Sequence, residues 1–277
     1  MAMSFGSLFL ISLAAGLVGA LTGMGGGVIL VPALTFLGID IKHAIAVSMV
    51  SVIATSSGSA AAYVRDRITN LKVGMFLEMF TICGALAGAA ITLSSEQRLL
   101  QLVLGLVLLF SSATLFVQRF RRRRDATQDA LSHWLELEGS YYDQAVQRTI
   151  TYKGTRAYLG GPLMFSAGLI AGLLGIGAGA LKVLVLDVVM GLPSKVSTTT
   201  SNLIIGVTAL AGAGVYLAAG LVDPGQAAPV ILGVVTGAFF GTRLLVRLRN
   251  RTVRGLFTVV LFALGIEMIM RTVWGGK

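Results

Sequence analysis

Two charged residues, Lys182 and Asp187, stand in one of the most apolar stretches of the chain, GLLGIGAGALKVLVLD at 172–187. A lysine at the centre of a bilayer costs about 3 kcal/mol on insertion scales, so it has to face protein or a wet cavity. One chemistry that fits is anion binding. Lys182 lies three residues after Gly179, in the first turn of a helix that starts at a glycine break. Such a helix start offers free backbone N–H groups and the positive end of its dipole. The other reading is structural: a salt bridge from Lys182 to Asp187, or snorkelling to the membrane surface. Anion binding takes the larger share, with Asp187 near the helix end as a partner or interface residue.

A second polar concentration follows. Ser197, Thr198, Thr199, Thr200, Ser201 and Asn202 are consecutive, and the earlier part of the chain offers Ser48, Ser51, Thr55, Ser56, Ser57 and Ser59. Hydroxyls and an amide can replace the hydration shell of an oxyanion without adding charge. Any one of them alone is better read as an interhelical hydrogen bond, worth about 1 kcal/mol or less. As a cluster facing a lysine and a helix start, Ser48, Thr199, Ser201 and Asn202 read as substrate-binding. Glu78 and Glu267 also lie in apolar windows. Either is a candidate to carry a coupling proton, because burial favours the neutral form of a carboxyl group; an ion-paired or interfacial role competes with it.

The elements that position these residues follow from composition. The 277 residues are 55% hydrophobic and only 12% charged, with mean hydropathy +0.85. Soluble domains average about 25% charged residues, so there is too little charge here to clothe a water-exposed surface. Windows at about 4–23, 43–63, 73–93, 99–118, 157–176, 196–219, 226–246 and 253–270 approach the roughly 20 apolar residues that cross a bilayer. Lipid leaves no partners for open strands, so these are helices. The expected class is an all-α polytopic protein of the bacterial cytoplasmic membrane. Cys83 is the single cysteine, His43 and His133 are far apart, and no spacing suggests a metal or cofactor site. The apolar N-terminus lacks the positive n-region of a signal peptide and its pattern recurs later, so it belongs to the fold. The net charge of +10 gathers around Arg119–Arg124 and Arg243–Arg254. Beside membrane spans such clusters are cytoplasmic anchors rather than nucleic-acid surfaces.

The chain also repeats itself. GLVGALTGMGGGVILV from Gly16 lies over GLIAGLLGIGAGALKV from Gly168. At one nearly constant offset Gly38 meets Gly191, Lys42 meets Lys195, Ser48 meets Ser201, Tyr63 meets Tyr216, Gly84 meets Gly237, and Gly88 meets Gly241. Residues 1–118 and 157–277 are therefore two transmembrane repeats joined by a basic and polar linker, 119–156. Equivalent loops carry opposite charge bias: the loop with Arg65, Arg67 and Lys72 corresponds to GLVDPGQ, which has none. That is the pattern of inverted halves, provided each half opens with a hairpin that enters the membrane and returns. Full crossing by residues 4–23 is the other arrangement. The linker segment LSHWLELEGSYYDQAVQR reads as a short amphipathic piece on the cytoplasmic face.

Three consecutive glycines, Gly25, Gly26 and Gly27, are too costly in backbone entropy to sit mid-helix for packing alone. They read as a break, as do Gly177 and Gly179 in the second half, with these five placed at the anion. Inverted-repeat transporters put broken-helix ends of this kind near the midplane. By contrast Gly84, Gly88, Gly233, Gly237 and Gly241, four apart, serve close helix packing. No strand precedes the glycines, so they are not a dinucleotide fingerprint. Lys182 matches Leu30, so that charge belongs to one half only, and neither glutamate has an acidic counterpart.

At GLVGALTGMGGGVILVPAL (16–34), GLIAGLLGIGAGALKVLVL (168–186) and GLPSKVSTTTSN (191–202) the chain resembles the sulfite exporter TauE/SafE family of membrane permeases. The resemblance covers essentially the whole chain apart from a long central linker; Pro32 is matched by Leu184 rather than by a proline. It implies two homologous halves and secondary transport of a sulfur-containing oxyanion, sulfite or an organosulfonate such as sulfoacetate. A carrier or channel for another small anion is the alternative. A membrane-embedded phosphatase ranks lower, because no nucleophile has an adjacent base. The partners implied are the small anion, a proton as coupling ion and the lipid bilayer; the glycine-dense faces suit internal packing or a homodimer equally.

Overall fold

The computed structural model describes residues 5–22, 26–118, 129–143, 147–245 and 250–274. The first half holds α1 (Phe5–Thr22), α2 (Gly27–Phe36), α3 (Ile41–Arg65), α4 (Leu71–Ser94) and α5 (Gln97–Gln118). A short helix α6 (Ala130–Trp134) and a hairpin of β1 (Glu138–Asp143) and β2 (Arg148–Lys153) follow. The second half repeats the first: α7 (Ala157–Leu174), α8 (Gly179–Leu184) running into a π-helical turn (Val185–Val189), α9 (Ser194–Ala218), α10 (Pro224–Leu245) and α11 (Asn250–Trp274). Among the described residues α3, α4, α5, α7, α9 and α10 are long and apolar enough to cross a membrane. The chain is an all-α polytopic membrane protein.

Glycines decide which helices touch. α4 and α7 meet along Gly84, Gly88, Gly168 and Gly172; a methyl group on Gly84 would lie 2.1 Å from Phe165 O, and one on Gly172 2.1 Å from Ala85 O. α1 and α10 meet the same way, with Gly237 facing Leu13 O at 2.0 Å and Gly16 facing Val234 O at 2.2 Å. Such approach leaves no room for a Cβ and lets backbones pack directly. These two contacts are one contact, exchanged between halves. α3 packs on its counterpart α9, and α5 on α11. This pairing is what a two-fold exchange of the halves produces.

The same contacts give directions. Going from Gly84 to Gly88, the facing residues advance from Phe165 to Leu173, so α4 and α7 run parallel; Gly233 and Gly237 face Phe9 to Leu17, so α1 and α10 do too. α3 and α4 are antiparallel, with Lys42 Nζ donating to Leu93 O at 2.9 Å. α5 and α11 are antiparallel, tied by Ser112 Oγ to Thr258 O at 3.0 Å. Thr155, just before α7, donates its N–H to Met190 O at 3.0 Å, just after the π-helical turn. The second hairpin therefore leaves from the face it returns to. In the first hairpin, α2 ends where the Arg271 guanidinium lies 4.7 Å over the Phe36 ring, beside the end of α11. That is the face from which α10, and hence its parallel partner α1, starts.

Residues 129–153 depart from the amphipathic piece expected of them. They form a helix and a strand hairpin in the register Glu138↔Lys153 to Asp143↔Arg148. The reason is a period of two: Tyr141 and Tyr152 turn inward and Tyr142 outward, as strand geometry requires. The two buried tyrosines pack with Val73, Leu192 and Val196 at the ends of the bundle. Asn70 anchors the hairpin. Its Oδ1 accepts Val73 N–H and caps α4, its Nδ2 donates to Tyr152 Oη at 3.1 Å, and its N–H donates to Thr200 Oγ1 at 3.1 Å. Asp129 caps α6 through Ser132 N–H. Partial burial raises its pKa, but hydrogen bonds from Ser132 and from the Arg156 N–H outweigh that and hold it below the usual aspartate value.

Candidate functional site

The two hairpin tips meet inside the bundle. α2 begins at Gly27, where a methyl group would lie 2.8 Å from Gly175 O and 2.8 Å from Ser48 Oγ. Ser48 Oγ donates to that same Gly175 carbonyl at 2.8 Å. The first turn of one broken helix is thus closed on the tip of the other hairpin. At the second tip Gly175, Ala178 and Gly177 adopt left-handed φ of 67°, 47° and 68°. Left-handed backbone is free for glycine and costs an L-residue about 1–2 kcal/mol, so Ala178 is the strained member. Gly26, its counterpart, keeps an ordinary φ of −68°. Gly25 lies outside the described residues. Ser201 Oγ reaches Gly179 O only at 3.5 Å.

Lys182, on α8, is completely buried. Its ammonium donates to Thr208 Oγ1 at 2.8 Å. The Thr208 hydroxyl reaches Glu78 Oε1 at 3.0 Å and the Ile204 carbonyl at 2.6 Å; it has one proton to share between them. Glu78 belongs to α4, in the other half, and is buried, with Oε2 lacking a hydrogen-bond partner among the described residues. A charge-bearing chain therefore crosses the bundle: ammonium, hydroxyl, carboxylate. The two charges answer one another in a region where either alone would be strongly unfavourable.

The sequence singled out Lys182 and Glu78 separately; the structure brings them together. Asp187, weighed as the salt-bridge partner of Lys182, instead accepts from Ser194 Oγ at 3.1 Å. Glu267 is far from this chain, pairing with Arg271 at 3.3 Å on a half-exposed stretch of α11. Thr199 spends its hydroxyl on Val196 O at 3.1 Å, and Asn202 is buried on α9. Thr208 escaped notice because a lone threonine in an apolar helix signals nothing. Its one signal was the repeat, in which it falls on Thr55.

Comparison with known proteins agrees with this architecture. Residues 8–268 match the sulfite exporter TauE/SafE family. The probable membrane transporter protein YunE of Bacillus subtilis is 25% identical over 276 residues, covering 96% of this chain and 98% of YunE. The probable membrane transporter protein YdhB of the same organism is 26% identical over 239 residues, covering 85% and 86%. No solved structure is significantly similar.

Proposed function

The chain belongs to the sulfite exporter TauE/SafE family, and from that premise we propose that it is a secondary transporter for a small sulfur-containing oxyanion, sulfite or an organosulfonate such as sulfoacetate. Its place is the bacterial inner membrane, which it crosses several times, and it is a membrane transporter rather than an enzyme. The observation that carries the substrate charge is Lys182: a fully buried ammonium one turn from a hairpin tip. Buried charges inside a membrane mark substrate and ion pathways. Ser48, Thr199, Ser201 and Asn202, together with Gly26, Gly27, Gly177 and Gly179, supply further donors as the tips separate.

The two halves are inverted in this reading. Support comes from parallel α1 and α10, parallel α4 and α7, and hairpins that return to their own face; with both present, α1 and α7 run oppositely. The face covered by α6 and the β1–β2 hairpin, with Arg65, Arg67, Lys72 and Lys195, carries the larger share of Lys and Arg and is the cytoplasmic one. Lys182 is inaccessible from either side in this conformation, which corresponds to an occluded state between two openings.

The test is thermal stabilisation of the purified protein by sulfite, sulfate, sulfoacetate, phosphate and acetate. Ligand at about 100 times its dissociation constant stabilises by roughly 2.7 kcal/mol. The expected outcome is a shift with a sulfur oxyanion that Lys182→Ala removes. A shift with acetate or phosphate alone reassigns the substrate, and a shift that survives Lys182→Ala removes the lysine from the site.

A further inference from the structure

We propose that Glu78 is an internal competitor for the transported anion: it holds Lys182 through Thr208 while no anion is bound, and surrenders it, taking up one proton, when the anion arrives. This rests on the assignment of Lys182 to the anion site. Two observations and a charge-balance argument lead to it.

The pair is not needed to build the fold. At the place related to it by exchange of the halves, Leu30 stands for Lys182 and Ile231 for Glu78, with Thr55 in the position of Thr208. The same helices pack there with apolar side chains, Leu30 being fully buried. Replacing a buried ion pair by hydrophobic residues is often neutral or stabilising, so retention of two charges here points to use rather than to stability.

The geometry is that of a contact made to be exchanged. Lys182 does not touch Glu78 directly; a single hydroxyl stands between them. That hydroxyl has a second acceptor, Ile204 O at 2.6 Å, so its proton can leave the carboxylate without becoming orphaned. Among the described residues Glu78 Oε2 is buried with no hydrogen-bond partner. A carboxylate held by one oxygen, with the other unserved, has an open position for a proton.

Charge balance supplies the coupling. Lys182 and Glu78 together are neutral. An oxyanion that replaces Glu78 at the ammonium leaves the carboxylate as an uncompensated buried charge, which is strongly unfavourable. A proton from solvent on Oε2 removes the carboxylate's charge and leaves the ammonium to answer the anion alone. Among the described residues the elements packed against α4 bring no rival: the segment of α6 and the hairpin offers Glu136, paired with Lys72 at the start of α4, and Tyr141 and Tyr152 beside Val73. α7 carries Tyr158 at its exposed start; α9 carries Lys195 near its start and Tyr216, whose hydroxyl is held by Gly172 O at 2.6 Å. α3 carries Lys42, His43, Tyr63 and Arg65 toward its ends, α5 Arg98 at its exposed start, and Asp187 beyond α8 is engaged by Ser194. Among the described residues Lys182 is the charge that faces Glu78.

The experiment counts protons. Sulfoacetate is the first probe and sulfate the second, since both stay fully ionised between about pH 6 and 8, whereas sulfite does not. Calorimetric titration of wild-type protein in buffers of different ionisation enthalpy should show about one proton taken up per anion, and affinity should weaken up to tenfold per pH unit as pH rises. Glu78→Gln should bind without proton uptake, with an affinity independent of pH and tighter than wild type at the alkaline end. Binding to wild type without proton uptake, or a Glu78→Gln variant that keeps the pH slope, overturns the competition and leaves the transporter assignment standing. The wild-type proton count needs no variant, so misfolding of Glu78→Gln does not shelter the idea. Unchanged affinity in Lys182→Met removes the anion site itself, and absence of binding by both probes overturns both readings.

Discussion

Where the second hairpin carries Lys182 the first carries Leu30, and where α4 carries Glu78 its counterpart α10 carries Ile231. The two places share a backbone plan, a threonine and the same set of packed helices. They differ in that one holds two buried charges and the other none. A duplicated fold thus separates what packing requires from what function adds. The apolar place shows that the helices can be held without charge; the charged place shows what this chain does with the freedom.

The largest expected effect breaks that contrast outright. Lys182→Leu or Glu78→Ile alone strands a buried charge and should cost about 3–5 kcal/mol. The double substitution, which copies the apolar place into the charged one, should recover most of that loss in thermal unfolding while abolishing anion-dependent stabilisation. Additive losses in the double variant would mean that the two charges are not each other's partners. Next come the glycine seams. Gly84→Ala and Gly237→Ala each force a methyl group to within about 2 Å of a carbonyl oxygen and should cost about 1–3 kcal/mol by overpacking. The two should agree to within about 1 kcal/mol, since they are one seam used twice; a tolerated Gly237→Ala would show the halves to be energetically unequal.

The hairpin tips sharpen the contrast further. Ala178→Gly relieves a left-handed alanine and should stabilise by up to about 1 kcal/mol. Gly177→Ala, at φ 68°, should destabilise by a similar amount. Gly26→Ala, at φ −68° with its nearest neighbours at 3.4 Å, should change little. Smallest are the effects in α6 and the β1–β2 hairpin, which lie between the halves and are not repeated. Tyr152→Phe leaves Asn70 Nδ2 without its acceptor and should cost about 1 kcal/mol, seen as faster hydrogen exchange in β1 and β2 with the helices unaffected. Acid should loosen the same region. Asp129 has a lowered pKa, so its contribution is complete above the unfolded value of about 3.9 and is lost as pH falls through the folded one. Trp134 fluorescence follows it; the effect should stay below about 1 kcal/mol, because exposure screens the charge.

Local chemistry explains why some of this was legible. Membrane class follows from the scarcity of charge, and the helix windows lie within a few residues of the observed helices because each is a continuous apolar run. The packing role of Gly84, Gly88, Gly233 and Gly237 was readable from their spacing of four, which puts them on one face. The β hairpin was not. Its alternation is carried by a few residues inside a polar linker, and only docking of Tyr141 and Tyr152 on the bundle makes that pattern worth a strand. The hydroxyls of 197–202 were legible as a group but not in detail: Thr200 serves Asn70, while Thr198 and Thr199 turn back on their own helix.

The sequence by itself determined the medium, the duplication and the places where helices break or press together, because those depend on residue type and on neighbours within a few turns. It also marked Lys182 as out of place. Only the tertiary structure decided what Lys182 meets. The nearest acid along the chain, Asp187, turns to Ser194, and the lysine is answered by Glu78 from the other repeat. A buried charge is stabilised by whatever opposite charge lies within a few ångströms, and the packing of α4 against α7 and α9, rather than any spacing along the chain, brings Glu78 there.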